Sequence, residues 1–201
     1  MEVKYLSTMT VSALVFFTAT ANAAEEKEVV STVGLGYLNA MKYSGSDERD
    51  STVVPYFNIQ YDSFFLDAVD GLGLNLNLNN DIYLTQSLGY SLGRVDSNAD
   101  WRAGSTKLKG MGKIKLAATS STTIGWNIGD TLSIEGNLTA PFTDSQGVKY
   151  RAGIKYRLWS DNRNTLVFSS NAKFGDSRHN NTFYGVSNTQ SRNSGYSKYK
   201  A

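Results

Sequence analysis

In the stretch Gly71-Leu72-Gly73-Leu74-Asn75-Leu76-Asn77-Leu78-Asn79, Leu occupies every even position and Gly or Asn every odd one. A period of two predicts a strand with one apolar and one polar face, Leu74 and Leu76 on the first, Asn75 and Asn77 on the second. The even-position rule continues through Ile82, Leu84, Leu88, Tyr90 and Leu92, through Ile114, Leu116, Ile124, Trp126 and Ile128, and through Leu132, Ile134 and Leu138. It returns in Tyr150, Ala152, Ile154, Tyr156 and Leu158 and in Leu166, Phe168, Ala172 and Phe174. Earlier strands use Val33, Leu35 and Tyr37, then Val53, Phe57, Ile59 and Tyr61. No segment sustains a helical period. Tight polar connections such as Gly129-Asp130 roughly alternate with longer ones such as 43–51 and 96–106. The pattern predicts about eight strands, many near the length of about 9 to 11 residues that crosses a bilayer at a tilt, joined as an up-and-down meander.

Alternation alone leaves open which face is inside, since a soluble lipocalin-like barrel has the same period with its apolar face inward. The polar face here carries small residues, among them Gly73, Asn75, Asn77, Ser87, Gly89, Ser133 and Asn137, which suit the packed lumen of a membrane barrel. One strand differs: Lys149, Arg151, Lys155 and Arg157 share its polar face, a basic stripe that Lys113 and Lys115 extend. In a lumen such a stripe favours anions. The plainer reading is internal ion pairing, with Glu135 on the preceding strand as partner. Tyr37, Tyr61, Trp126, Tyr156 and Trp159 lie near strand ends, where interfacial aromatic girdles occur.

The first 23 residues read as a secretory signal peptide: Lys4, an apolar run from Val11 to Phe17, then Ala21-Asn22-Ala23 before the charged Glu25-Glu26-Lys27-Glu28. Cleavage after Ala23 leaves residues 24–201 as one domain. The apolar run falls short of the roughly 20 residues of a spanning helix, and no later stretch is better, so a helical membrane protein is excluded. With no Cys, disulfide and Cys-based zinc sites are excluded too, and a net charge of +2 gives no nucleic-acid footprint.

Little in the chain points to catalysis. His179 is the only His, within Asp176-Ser177-Arg178-His179-Asn180-Asn181. The sharpest enzymatic reading is a barrel hydrolase using Ser177 or Ser187 with His179 and Asn180; the plainer one is a solvated loop His, since no oxyanion hole or strained nucleophile turn is marked. Asp47, Glu48 and Asp50 cluster in one loop, but Arg49 sits among them and the EF-hand spacing is absent, which favours a surface loop. The Gly-x-Gly pieces Gly34-Leu35-Gly36, Gly71-Leu72-Gly73 and Gly110-Met111-Gly112 lack the third Gly and helix of a nucleotide fingerprint. The expectation is a non-enzyme with no cofactor and no metal.

At Tyr43-Ser44-Gly45-Ser46-Asp47, Val54-Pro55-Tyr56-Phe57, Tyr61-Asp62-Ser63-Phe64-Phe65 and Gly71-Leu72-Gly73 the chain resembles the MipA/OmpV family of bacterial outer-membrane proteins. Ser87-Leu88-Gly89-Tyr90-Ser91-Leu92-Gly93-Arg94, Leu108-Lys109-Gly110-Met111-Gly112, Phe183-Tyr184-Gly185-Val186-Ser187 and Gln190-Ser191-Arg192-Asn193-Ser194-Gly195-Tyr196 continue it in the family's order. The resemblance implies an all-β, antiparallel, up-and-down transmembrane barrel in the outer membrane of a Gram-negative bacterium, in contact with its lipid. It implies a structural or scaffolding role, with a lytic transglycosylase and a penicillin-binding protein as partners. A small anion-favouring pore is the alternative reading, and a hydrolase using His179 a third. The family pattern runs on past the Ser-Gly-Tyr region to an aromatic end, whereas this sequence stops at Tyr199-Lys200-Ala201, so the expectation is a barrel missing its last strands, with Ser191 to Ala201 a loop cut short.

Overall fold

Backbone pairing turns the alternating segments into one antiparallel meander. The computed structural model describes residues 19–21, 29–161 and 165–201. A three-residue strand, Ala19–Ala21 (β1), pairs with Ser31 to Val33 of Val29–Met41 (β2), and the rest of the predicted leader lies outside the described residues. Then follow Arg49–Tyr61 (β3), Phe64–Asp67 (β4), Gly71–Asn77 (β5) and Ile82–Ser91 (β6). Arg94–Val95 (β7) and Ala103–Gly104 (β8) form a small parallel pair apart from the sheet. Ala117–Ile128 (β9), Leu132–Pro141 (β10), Lys149–Ser160 (β11) and Thr165–Gly175 (β12) complete the wall. Spatial order follows chain order, β1-β2-β3-β4-β5-β6-β9-β10-β11-β12, in a curled, half-barrel sheet. From β2 onward this is nine strands where the periodicity predicts about eight. The extra one is β4, whose four residues are too few for alternation to register.

The apolar face is the outer face. Leu72, Leu88, Ile124, Ile154 and Phe168 are all exposed, as is nearly every large apolar side chain of the wall. The buried apolar residues are only Phe65, Val95, Leu108, Met111, Ile114 and Ala117 among the described ones. Leaving a large apolar side chain in water forgoes about 1.5 to 3 kcal/mol relative to burial. About ten half-exposed ones would match the whole stability of an ordinary domain, about 5 to 15 kcal/mol. The outer face therefore needs an apolar solvent, and the inward-facing lipocalin arrangement does not apply. No described helix is long and apolar enough to cross a membrane, so any crossing falls to the strands.

Strand direction sorts the connections onto two ends. The tight turns after Tyr61, Asn77 and Ile128 lie at one end, as do the strand ends Ser160 and Thr165. At the other lie the segments 42–48, 92–116 and 142–148 and the tail from Asp176. Aromatics follow the same division on the outer face: Tyr61, Trp126, Tyr156 and Trp159 toward the turn end, Tyr37, Tyr90 and Tyr150 toward the loop end, all exposed.

Two helices depart from the all-strand expectation. Ser177–Tyr184 (α1) is capped by Asp176, whose carboxylate accepts from the His179 N–H at 2.6 Å. Asn188–Ser194 (α2) opens on a capping box in which Ser187 and Gln190 exchange side-chain-to-backbone bonds, and it ends at Gly195 in the left-handed region. Neither has a buried apolar stripe, so no helical period announced them; their caps and docking contacts hold them. The segment Ser191 to Ala201, which the sequence reads as a loop cut short, begins inside α2, and the tail past it is placed by paired backbone bonds between Val186 and Tyr199.

Ile124 stands midway along β9, 54% exposed, between Leu84 and Gly136 on the neighbouring strands. In detergent micelles or bilayers, Ile124→Arg should cost about 2 to 4 kcal/mol of unfolding free energy, while Asn75→Arg, on the inner face, should cost clearly less. Reversible urea unfolding followed by Trp fluorescence measures both, and equal losses would reject the face assignment.

Candidate functional site: the inner wall and its cap

The polar face forms the inner wall, and a cluster on it is built around Glu135, 7% exposed on β10. The ladder sets a row across the wall in which Tyr83 opposes Gly125, Gly125 opposes Glu135, and Glu135 opposes Gly153. A Cβ on Gly125 would lie 2.1 Å from the Tyr83 ring, so only Gly lets the ring cross β9. Tyr83 then donates to Glu135 Oε1 at 2.5 Å. Phe65 lies over Gly73 opposite it in the same manner, 2.4 Å from where a Cβ would sit.

Glu135 also takes two of the four residues of the predicted stripe. Lys155 Nζ lies 2.6 Å from Oε1, and Arg151 Nη1 lies 3.7 Å from Oε2. Lys149 and Arg157 are not joined to it: Lys149 sits at the cap end opposite Gly175, and Arg157 at the turn end opposite Val167. Lys113 and Lys115 precede β9 and are not on the wall. Sequence reading missed Lys173 on β12, directly opposite Arg151; its odd position beside Ala172 and Phe174 carries the signal. Acidic groups enter from β4 and the following turn. Asp67 accepts from Tyr56 and Asn58, and Asp70 lies in electrostatic range of Arg151 and Lys155. Elsewhere small polar side chains satisfy one another, with Asn137 Nδ2 donating to Ser121 and Thr123 hydroxyls, both at 2.8 Å.

Over the loop end of the wall lies a packed cap, and five of the six buried apolar residues are in it or at its base: Val95, Leu108, Met111, Ile114 and Ala117. Arg94, 5% exposed, donates from Nη1 to the Phe183 carbonyl at 2.7 Å, tying β7 to α1. Gln190 reaches the Met111 carbonyl and Tyr196 the Lys107 carbonyl, each at 2.7 Å, which fixes α2 and the tail on the 92–116 segment. Ser44 and Tyr184 hydroxyls meet at 2.9 Å.

The acidic loop residues are part of this cap. Lys107 Nζ lies 2.7 Å from Asp47 and 3.5 Å from Glu48, and Ser105 donates to Glu48 at 2.9 Å. Lys107 holds the Asp47 carboxyl below its ordinary pKa, and the Ser105 hydroxyl does the same for Glu48. Asp50 instead accepts from the Ser51 N–H, and the described residues contain no grouping of acids or His fit for a metal. His179 sits in α1 with its ring 4.5 Å from that of Phe183, and burial followed by Lys149 holds its pKa down. Of the hydrolase candidates, Ser187 caps α2 through its hydroxyl, and Asn180 lies beside the His179 ring over Gly175 and donates to the Gly175 carbonyl.

Residues 33–201 match the family model described as MltA-interacting protein MipA. No curated protein and no solved structure matches the chain.

Two measurements probe this construction. Glu135→Ala leaves Lys155 and Arg151 without their carboxylate and Tyr83 without its acceptor, so it should cost about 3 kcal/mol. Lys155→Ala, removing a side chain that is 50% exposed, should cost about 1 kcal/mol or less. Urea unfolding in micelles ranks the two, and the reverse order would sink the central role given to Glu135. The Asp47 and Glu48 carboxyls are depressed, so their contribution is complete above the ordinary carboxylate range and is lost as pH falls through the lowered values, below about pH 4. Hydrogen exchange in segment 92–116, corrected for intrinsic rate, should rise between pH 6 and pH 3. In Lys107→Ala it should be already high at pH 6; an unchanged profile would remove the clasp.

Proposed function

We propose a non-enzymatic structural role in the outer membrane for this chain, which belongs to the MltA-interacting protein MipA family. Members of this family are outer-membrane proteins, and the family's name records an interaction with MltA, a lytic transglycosylase. The observation that carries the location is the outer face: a belt of exposed apolar side chains with aromatics toward both ends, on strands of up to 13 residues. Such strands exceed the length a tilted crossing needs, and the polar face needs no lipid contact. Export by cleavage after Ala23 precedes insertion.

The scaffolding part of the reading concerns the turn end. In bacterial outer-membrane barrels short turns face the periplasm and longer loops face out. On that rule the cap faces outward and the turns at Asp62-Ser63, Leu78 to Asp81 and Gly129 to Thr131 face the compartment where cell-wall enzymes work. A lytic transglycosylase, with a penicillin-binding protein held beside it, docks there. A second reading, an anion-favouring pore, draws support from the cations of the inner wall.

Photo-crosslinking in intact cells tests the scaffold. A crosslinking residue at Asp81 or Asp130 should capture a lytic transglycosylase, and one at Lys109 in the cap should not; the exported protein should begin at Ala24. Capture from neither turn would overturn the scaffold, and planar-bilayer currents with anion selectivity would favour the pore instead.

A further inference from the structure

The four-residue basic stripe divides into two parts with different electrostatics. In the lower part Lys155 is 2.6 Å from Glu135 and so neutralised. In the upper part, against the cap, Lys149 and Arg151 on β11 stand beside Lys173 on β12, with Arg151 and Lys173 directly opposite each other in the ladder. Directly opposed like charges destabilise a sheet unless something neutralises them. Lys149 and Lys173 are exposed and repel each other, and neither has a carboxylate within ion-pair distance among the described residues. Arg151 is only partly neutralised: its Nη1 is 3.7 Å from Glu135, which is already engaged by Lys155 and Tyr83, and 3.3 Å from the neutral Asn171 Oδ1. Asp70 reaches Arg151 and Lys155 electrostatically, but Lys149 has no such acid beside it. Asp176, the cap carboxylate nearest Lys173 in sequence, accepts from the His179 and Val148 N–H groups.

The cap closes the cluster on one side. The His179 ring and the Asn180 side chain fill the space over Gly175, Lys149's direct partner, and His179 interacts electrostatically with Lys149. On the other side, between Arg151 and the neutralised Lys155, the wall continues to Gly153, over which lies the neutral Asn171 side chain. The result is a patch of the inner wall, flanked by the cap, with two ammonium groups and a guanidinium fork and a deficit of negative charge.

We propose that Lys149, Arg151 and Lys173 form a binding site for a phosphate-type dianion on the inner wall beneath the cap. Two ammonium groups supply compact charge, and the guanidinium supplies a planar donor pair matched to two oxygens of one phosphate. A dianion balances the two cations that lack a carboxylate, which chloride cannot do with one charge. The site goes beyond the scaffold reading and does not require the lumen to conduct.

The test uses the full chain in detergent micelles, where no transport is involved, with inorganic phosphate as probe. Lysine acetylation read by mass spectrometry should show phosphate protecting Lys149 and Lys173, with Lys155 and Lys198 unchanged. Chloride at equal ionic strength should protect none of them. Equilibrium dialysis with labelled phosphate should show binding about tenfold weaker in K149Q/K173Q and near wild type in K198Q/K200Q. K149R/K173R keeps the charges and should retain binding, which separates loss of the site from loss of the fold. Uniform protection of all lysines, equal protection by chloride, or unaltered phosphate binding by K149Q/K173Q would each overturn the assignment. A pore that fails to conduct would leave these results untouched, so the two readings fail separately.

Discussion

Antiparallel partners share a face, so the register of one strand pair dictates the orientation of every side chain in the next. This constraint runs through nine strands here without an error of parity. Odd positions face out on β2 and β3, where Val33 pairs with Phe57, and even positions face out from β4 onward, where Leu66 pairs with Leu72 and Leu72 with Leu88. The switch is made by one connection. The two-residue turn Asp62-Ser63 sets Tyr61 opposite Phe64, an odd position against an even one, and Asp62 takes φ 53° to make it. A second such switch threatens where Ser160 stands opposite Thr165, an even position against an odd one. The bulge between Arg157 and Trp159 cancels it, so that Tyr156 still meets Phe168 and Leu158 and Trp159 both lie exposed.

Once the apolar face is turned outward, the interior inherits the polar face and must be satisfied without a hydrocarbon core. The wall solves this by alternating large and absent side chains along one row, Tyr83, Gly125, Glu135 and Gly153. The gaps let Tyr83 and Lys155 reach one carboxylate from strands on opposite sides of it. A buried Glu costs several kcal/mol unless its oxygens are engaged, and here both are, with charged or hydroxyl donors. Glu135 thereby determines which members of the basic stripe are structural and which keep their charge available.

The period-two signal made the wall readable from sequence alone, because a strand long enough to span a bilayer repeats its pattern five or six times. The parity change after Tyr61 was visible too, as odd positions in Val53, Phe57 and Ile59 gave way to even ones in Leu72 and Leu74. Alternation is blind to direction, so inside and outside needed the structure. It is blind to short elements as well, which hid β4. Lys173 shows the limit at the site: its face followed from Phe174, but its neighbour Arg151 is 22 positions away and became its partner only through register. The helices were legible by a different signal, since Ser187-Asn188-Thr189-Gln190 followed by Gly195 is a capping box with a left-handed stop. That signal is local and carries no apolar stripe, so a reading by periodicity passes over it.

Wall and cap are thus held by different physics, and their stabilities must differ. The wall is a continuous ladder in which each strand is secured along most of its length by its neighbours. The cap rests on a few small apolar residues and on single polar contacts such as Arg94 to Phe183 and Lys107 to Asp47. Arg94 is buried with its Nε and Nη2 unpartnered among the described residues, and a buried donor without an acceptor costs about 1 to 3 kcal/mol. Breaking the cap therefore returns part of its own cost through hydration of that guanidinium, whereas opening the wall between two strands exposes a whole row of backbone groups. The cap is the layer that opens first. Because α1 places His179 over Gly175, the direct partner of Lys149, cap opening removes the cap from one side of the exposed cations. The surroundings of Lys149 at the loop end are in this way tied to the least stable part of the fold, while Glu135, Lys155 and Tyr83 stay fixed in the most stable part.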